Sequence, residues 1–93
     1  MARTAVTIIV TGRVQGVGFR AFVRRRATEL GLDGWVRNRR DGSVEITAIG
    51  DAERIDQLVV RCQRGPALAR VANVTRREIA DDGSIGFREQ PNF

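Results

Sequence analysis

The chain has 93 residues, its 16 basic residues are all arginine, and its formal net charge is +5. A chain of this length has room for one domain with one modest core. Histidine and lysine are absent, and cysteine occurs once. The composition therefore excludes a Ser-His-Asp triad, a zinc site of nitrogen and sulfur ligands, a Schiff base and a Walker-type lysine. Any catalysis must use arginine, carboxylates, amides, hydroxyls or backbone N–H groups.

The first predicted element is a strand over residues 5–11. Its β-branched side chains occupy both faces, which is typical of a central strand. A glycine-bearing loop follows over residues 12–18. Over residues 19–30 the apolar residues recur at helical spacing, which predicts a helix. Gly31 can end that helix in a left-handed conformation. The apolar positions of this helix are Phe19, Val23, Ala27 and Leu30.

A hairpin and a second helix are predicted next. Two short runs, residues 35–39 and 44–49, flank Asp41-Gly42, a dipeptide typical of a tight hairpin turn. Asp51 has the character of a helix N-cap, because apolar residues follow it at helical spacing. Those residues are Ile55, Leu58, Val59 and Cys62. Gly65-Pro66 ends this helix.

A strand over residues 71–79, a turn at 81–84 and a short strand at 85–88 complete the chain. The order βαββαβ, with a weak last strand, predicts a ferredoxin-like α+β fold. We therefore expect two helices to cover one face of an antiparallel sheet that carries a short fifth strand. We expect residues 1–93 to form a single domain.

The loop between the first strand and the first helix is the most informative segment. Gly16 and Gly18 permit positive φ, so consecutive N–H groups can turn toward one centre at the positive end of the helix. Such a cradle suits an anion, and Arg20 in the first turn can add a bidentate clamp. The spacing matches neither a P-loop nor a dinucleotide-binding loop. Loop composition alone fits a plain strand-to-helix turn equally well.

Asn38 is a second candidate site residue. In a split βαβ unit the first two strands run parallel, so both end at the same edge of the sheet. If Val36 points toward the helices, Asn38 lies beside the start of the first helix, where its amide can hold a water. The alternative is that Asn38 only prepares the turn at Asp41-Gly42.

Two segments together resemble a known family. They are residues 12–20, GRVQGVGFR, and residues 34–38, GWVRN, which continue as DGSVE over residues 41–45. Both are similar to the acylphosphatase family. Residues 65–67, with the following Val71 and Val74, also resemble its stretch after the second helix. The chain departs from the family pattern at residues 90–93, which contain no clear alternating strand.

This resemblance implies hydrolysis of a small-molecule acyl phosphate to a carboxylate and inorganic phosphate. It implies that Arg20 binds the phosphoryl group together with backbone amides of residues 15–20, and that Asn38 orients the attacking water. The implied phosphate-binding residues are Gln15, Gly16, Val17, Gly18, Phe19 and Arg20. Inorganic phosphate or a similar anion is then expected to bind the same site.

The composition agrees with this reaction for a separate reason. Phosphoryl transfer needs positioning and charge stabilisation more than covalent help from the protein. A carboxylate leaving group has a conjugate-acid pKa of about 4, so it departs without a general acid. We therefore expect an enzyme that uses no metal and no cofactor.

Two alternatives remain open. The net positive charge and the fold are compatible with an RNA-binding module, although no run matches the aromatic-rich RNA-binding signatures, and we expect no nucleic-acid partner. Similar domains also begin larger hydrogenase-maturation proteins that handle carbamoyl phosphate. Because nothing follows residue 93 here, we expect a free-standing enzyme.

Other polar residues have plain explanations. Cys62 lies on an apolar stripe and is predicted to be a core residue. Asp81-Asp82 is predicted to form a turn and Asp41 to serve the hairpin, while Ser43 and Thr11 have no base to activate them. The longest early apolar run is far below the ~20 residues that span a bilayer, and no secretory signal is present. We expect a cytoplasmic monomer that does not bind membranes.

Overall fold

The computed structural model describes residues 3–92 and contains five strands and two helices. The elements are β1 Thr4–Arg13, α1 Phe19–Glu29, β2 Asp33–Asn38, β3 Val44–Gly50, α2 Ala52–Arg64, β4 Arg70–Glu78 and β5 Phe87–Glu89. The predicted ferredoxin-like α+β fold is confirmed. The short final strand begins two residues later than the pattern indicated, and Ile85 is 87% exposed.

The sheet has the order β4-β1-β3-β2-β5. The first four strands form antiparallel pairs, and β5 adds a parallel pair on the outer side of β2. Because β1 and β2 both run antiparallel to β3, they run parallel to each other. The loop after β1 and the last residue of β2 therefore lie at one edge of the sheet.

One hydrophobic core lies between the sheet and the two helices. The inward side chains of β1 are Val6, Ile8 and Val10, and each is fully buried. They pack with the apolar stripes of both helices, which include Phe19, Val23, Ala27, Ile55, Leu58 and Cys62. Each large aliphatic or aromatic side chain buried here stabilises the fold by about 1.5–3 kcal/mol. The predicted helical faces are confirmed.

The two helices begin in different ways. In α2, the Asp51 side chain accepts a hydrogen bond of 2.9 Å from Glu53 N–H and so caps the first turn, as predicted. In α1, the residue before the helix is Gly18, which has no side chain to offer. Within residues 3–92, neither helix is long and apolar enough to cross a membrane.

An arginine near the amino terminus holds the segment that leads into β5. The Arg3 guanidinium pairs with Asp33 at the start of β2 and with Asp81. Asp33 also accepts a hydrogen bond of 2.8 Å from Gly86 N–H. The hydrogen bonds from Arg3 lower the pKa of Asp81. These contacts fix where β5 starts, and β5 in turn supplies residues to one end of the sheet.

A substitution at Gly34 tests the close packing of β2 against β3. Its φ is +131°, and a β-carbon placed on it would overlap the carbonyl oxygen of Thr47. Gly34→Ala is expected to lower the free energy of unfolding by about 3 kcal/mol or more, through strain and overpacking combined. Urea denaturation followed by circular dichroism measures this loss.

Gly83→Ala is the matched control for that substitution. Gly83 also has positive φ, at +79°, but a β-carbon there would meet nothing within 4 Å. We expect it to cost about 1 kcal/mol, from the left-handed conformation alone. Equal losses for the two variants would contradict the close approach at Gly34.

Candidate active site

The loop between β1 and α1 leaves a group of backbone donors unsatisfied. Gly16 and Gly18 are left-handed, with φ of +72° and +80°. The first backbone bond of α1 runs from Phe22 N–H to Gly18 O at 3.0 Å. Within residues 3–92, no backbone or side-chain acceptor is found for the N–H groups of residues 15–21. The loop and the helix start therefore offer several free donors together with the positive end of the helix dipole.

A cavity of about 250 Å³ opens at this helix start. Its lining joins the loop, the first turn of α1, the end of β2 and β5. The lining residues are Val14, Gly16, Gly18, Phe19, Arg20, Ala21, Asn38 and Glu89. The structure thus brings together, in one cavity, the two candidate side chains that the sequence singled out.

Arg20 lies half-buried in the first turn of α1. Its Nη1 is 3.5 Å from the carbonyl oxygen of Gln90, which is a weak contact at the limit for a hydrogen bond. No carboxylate among residues 3–92 forms an ion pair with it. The neighbouring Glu89 carboxylate is held instead by Arg24 Nε at 3.0 Å. The charge of Arg20 is consequently available to an anion in the cavity.

Asn38 is the last residue of β2 and pairs with Val44. Val36 is fully buried in the core, so alternation along the strand gives Asn38 the same face. This places Asn38 beside the start of α1, as expected from the alternation of side chains along β2. Its half-buried amide can both donate and accept hydrogen bonds toward the cavity.

The Gln15 side chain ties the loop to the β2–β3 hairpin. Its Nε2 donates to the carbonyl oxygens of Arg39, at 2.7 Å, and Ser43, at 2.9 Å. In the hairpin, Asp41 Oδ1 accepts hydrogen bonds from Ser43 N–H and Ser43 Oγ at 2.9 and 2.6 Å, which lower the pKa of Asp41. Asp41 serves the turn, as predicted. The Gln15 side chain is engaged structurally, which leaves its backbone amide as its candidate ligand.

The contribution of β5 to the site was not predicted from the sequence. Gln90 N–H donates to Val36 O at 2.8 Å and extends the parallel ladder. This pairing carries Glu89 into the cavity wall and the Gln90 carbonyl to Arg20. The final segment has too short an alternating pattern to reveal which strand it joins.

The remaining polar candidates lie elsewhere. Cys62 is fully buried in α2, where burial raises the pKa of its thiol to about 12. Asp81 and Asp82 accept hydrogen bonds from Gly83 N–H and Ser84 N–H, each at 2.8 Å, and so form the predicted turn. Within residues 3–92, no group of three or more histidine, cysteine or acidic residues is placed to hold a metal ion.

Fold and cavity together define a small ferredoxin-like α/β protein with unpaired N–H donors at a strand-to-helix junction. The family model described as acylphosphatase matches residues 6–89. The chain belongs to the acylphosphatase family.

Individual relatives agree. An acylphosphatase of Methylococcus capsulatus is 56% identical over 80 residues, which cover 86% of this chain and 87% of the relative. An acylphosphatase structure from Coxiella burnetii superposes with a TM-score of 0.92 at 40% identity, covering 96% of this chain and 94% of the other. Full-length HypF in a phosphate- and nucleotide-bound form matches with a TM-score of 0.90 at 27% identity, over 97% of this chain and 12% of that one.

Labelling and substitution of Cys62 test whether the only thiol of the chain takes part in the turnover of an acyl phosphate. Because the thiol is buried and its pKa is raised to about 12, we expect native protein at pH 8 to react with a thiol reagent at least about a hundred times more slowly than denatured protein. Cys62→Ala should keep the turnover of an acyl phosphate. Rapid labelling of native protein with loss of turnover would contradict the assignment of Cys62 to the core.

Proposed function

We propose that this protein hydrolyses small-molecule acyl phosphates, with Arg20 and the backbone amides of residues 15–20 binding the phosphoryl group and Asn38 orienting the water. The supporting observation is that the free loop donors, the Arg20 guanidinium and the Asn38 amide all border one cavity. A phosphoryl group is an anion of matching size with three oxygens to be bound. Inorganic phosphate should bind there as product.

The arrangement supplies what phosphoryl transfer needs. As the bond to the leaving oxygen lengthens, charge spreads over the three equatorial oxygens of phosphorus. Fixed N–H donors stabilise that charge without reorganisation, and Arg20 adds a permanent charge in a planar fork. Asn38, at the end of β2, approaches the cavity from another element and can hold a water on the side opposite the leaving group.

The reaction balances with these groups alone. The water oxygen forms a bond to phosphorus while the bond from phosphorus to the acyl oxygen breaks. The electron pair of the broken bond leaves with the carboxylate, and both protons of the water stay on the phosphate product before it equilibrates with solvent. No general acid is needed, because the leaving carboxylate has a conjugate-acid pKa of about 4. We therefore expect hydrolysis without a metal ion.

We further propose that residues 1–93 are one acylphosphatase domain and that it acts as a monomer in the cytoplasm. One core unites both helices with the sheet. The exposed large apolar residues of the described chain are only Val60, Leu68 and Ile85, so few apolar side chains are offered to an interface between copies. A single species of monomer mass in sedimentation supports this proposal, and a stable dimer overturns its monomer part.

Substitutions at the two side chains separate their roles. Arg20→Ala should lower kcat/KM for benzoyl phosphate by about 10³ or more, and Arg20→Lys by about 10², because lysine lacks the bidentate fork. Asn38→Ala should lower kcat by about 10², with the inhibition constant of phosphate changed less than about threefold. Steady-state kinetics with phosphate as competitive inhibitor measure both.

Arg25→Ala on the exposed side of α1 and Asn73→Ala on β4 are the matched controls. Both should retain the kinetics of the unaltered protein. If Asn38→Ala kept the full kcat, the water-orienting role would be wrong.

The pH dependence provides an independent test. The proposed mechanism uses a guanidinium and amides, and no imidazole, thiol or carboxyl group. The protein's contribution to kcat should be flat from about pH 5 to 8, and saturating chelator should leave it unchanged. A steep bell centred near pH 7, or loss of activity in chelator, would contradict this mechanism.

A further inference from the structure

A second cavity, of about 380 Å³, is lined in part by the same loop. The two cavities share Gly16 as a lining residue. The lining of the second cavity is Arg13, Gly16, Val17, Ala67, Leu68, Ala69 and Arg70. A β-carbon on Gly16 would meet nothing within 4 Å, so the space beside this shared residue is open to a molecule whose phosphoryl group occupies the first cavity.

Two arginines face each other at the wall of this second cavity. Arg13, at the end of β1, pairs directly with Arg70, at the start of β4. Directly opposite residues on antiparallel strands bring their β-carbons to about 5 Å, and like charges there are destabilising. In the ladders formed by residues 3–92, this is the one pair of like charges in direct register.

Neither arginine is neutralised by the described chain. Among residues 3–92, all ion pairs involve other arginines, and no carboxylate accepts from Arg13 or Arg70. Both side chains are exposed at the cavity. Two like charges are thus placed directly opposite each other, and no contact compensates for their repulsion. Such an unfavourable arrangement is typical of a position that is used for function at the expense of stability.

The strands that carry these arginines are held in place. The register of β1 against β4 shifts between Thr11 and Gly12. A β-carbon on Gly12 would overlap the carbonyl oxygen of Arg70. Ala69 N–H donates to Pro66 O at 2.9 Å and shapes the segment before β4. The backbone thus fixes the close register of the arginine pair, and their exposed side chains can converge on one anion.

The rest of the wall is apolar. Val17 is half-buried, and Leu68 is 74% exposed on the segment between α2 and β4. Together with Ala67 and Ala69, these residues offer a surface for carbon atoms in the same cavity as the arginines. The composition fits a group with an apolar body and an anionic end.

We propose that the second cavity is the acyl-group subsite, and that Arg13 and Arg70 select acyl phosphates whose acyl part ends in a second anionic group, such as a carboxylate. The inference rests on the proposed function, because the phosphoryl group must occupy the first cavity. A carboxylate between the two guanidiniums relieves their repulsion and accepts hydrogen bonds from both. An uncharged acyl group gains only the apolar contacts.

The test compares paired substrates that differ in charge and little in shape. These are benzoyl phosphates with a para or meta carboxylate, and the corresponding carboxamides. At one fixed physiological ionic strength, kcat/KM for the better carboxylate isomer should exceed that of its carboxamide by about tenfold or more. In the double variant Arg13→Gln, Arg70→Gln this ratio should fall to about one to three, while unsubstituted benzoyl phosphate is turned over within about threefold of the original rate.

The double variant Arg25→Gln, Arg61→Gln is the matched control, since it removes the same charge from exposed helix positions. It should keep the tenfold ratio. The proposal is overturned if the ratio is near one in the unaltered protein, if it persists in the Arg13 and Arg70 variant, or if the control loses it equally. The last outcome would show that only the overall positive field attracts the second charge.

A binding measurement separates this proposal from the proposed function. The phosphonomethyl ketone analogue of succinyl phosphate, with a methylene in place of the bridging oxygen, cannot be hydrolysed. Its dissociation constant should be at least about tenfold below that of its terminal amide, and the advantage should vanish in the Arg13 and Arg70 variant. If benzoyl phosphate is not hydrolysed at all, the proposed function fails, and this titration still decides whether the arginines recognise the second anion.

Discussion

The start of α1 is the constraint on which the site depends. An α-helix begins with N–H groups that have no partner in the helix, and a polar side chain usually satisfies one of them. Asp51 does so for α2. At α1 the corresponding position is Gly18, in a left-handed conformation and without a side chain, and Gly16 turns the preceding loop in the same sense. The donors of this segment therefore have no partner within residues 3–92, which is the basis for proposing that they bind the phosphoryl group.

The sheet topology brings a second candidate residue to that loop. Parallel β1 and β2 end at one edge, so Asn38 arrives beside the helix start although it is far from the loop in sequence. The Gln15 side chain then ties the loop to the carbonyl groups of the hairpin. The candidate groups are thus positioned by the loop backbone, by the alternation of side chains along β2 and by the Gln15 amide. This agrees with phosphoryl transfer, which needs fixed donors and charge more than covalent help from the protein.

Much of the fold and of the candidate site could be predicted from the sequence, because the spacing of apolar residues indicates both the helices and strands and their buried faces. One example is the apolar stripe of α2 that ends at Cys62. Another is the inward-facing Val36, because Asn38, two residues later, lies on the same face of β2. The partner of β5 could not be predicted, since Phe87–Glu89 is too short to carry a pattern and its parallel pairing depends on contacts distant in sequence. For the same reason, the opposition of Arg13 and Arg70 emerges only from the register of β1 and β4.

The most direct test of the central claim is a nuclear magnetic resonance titration of isotope-labelled protein with inorganic phosphate. The account predicts that the amide signals of residues 15–20 and the Arg20 side-chain signal shift together along one saturating curve, that Glu53 N–H at the capped start of α2 does not follow them, and that Arg20→Gln weakens the binding at least about tenfold. Unshifted loop amides at saturating phosphate, or unchanged affinity in Arg20→Gln, would contradict it.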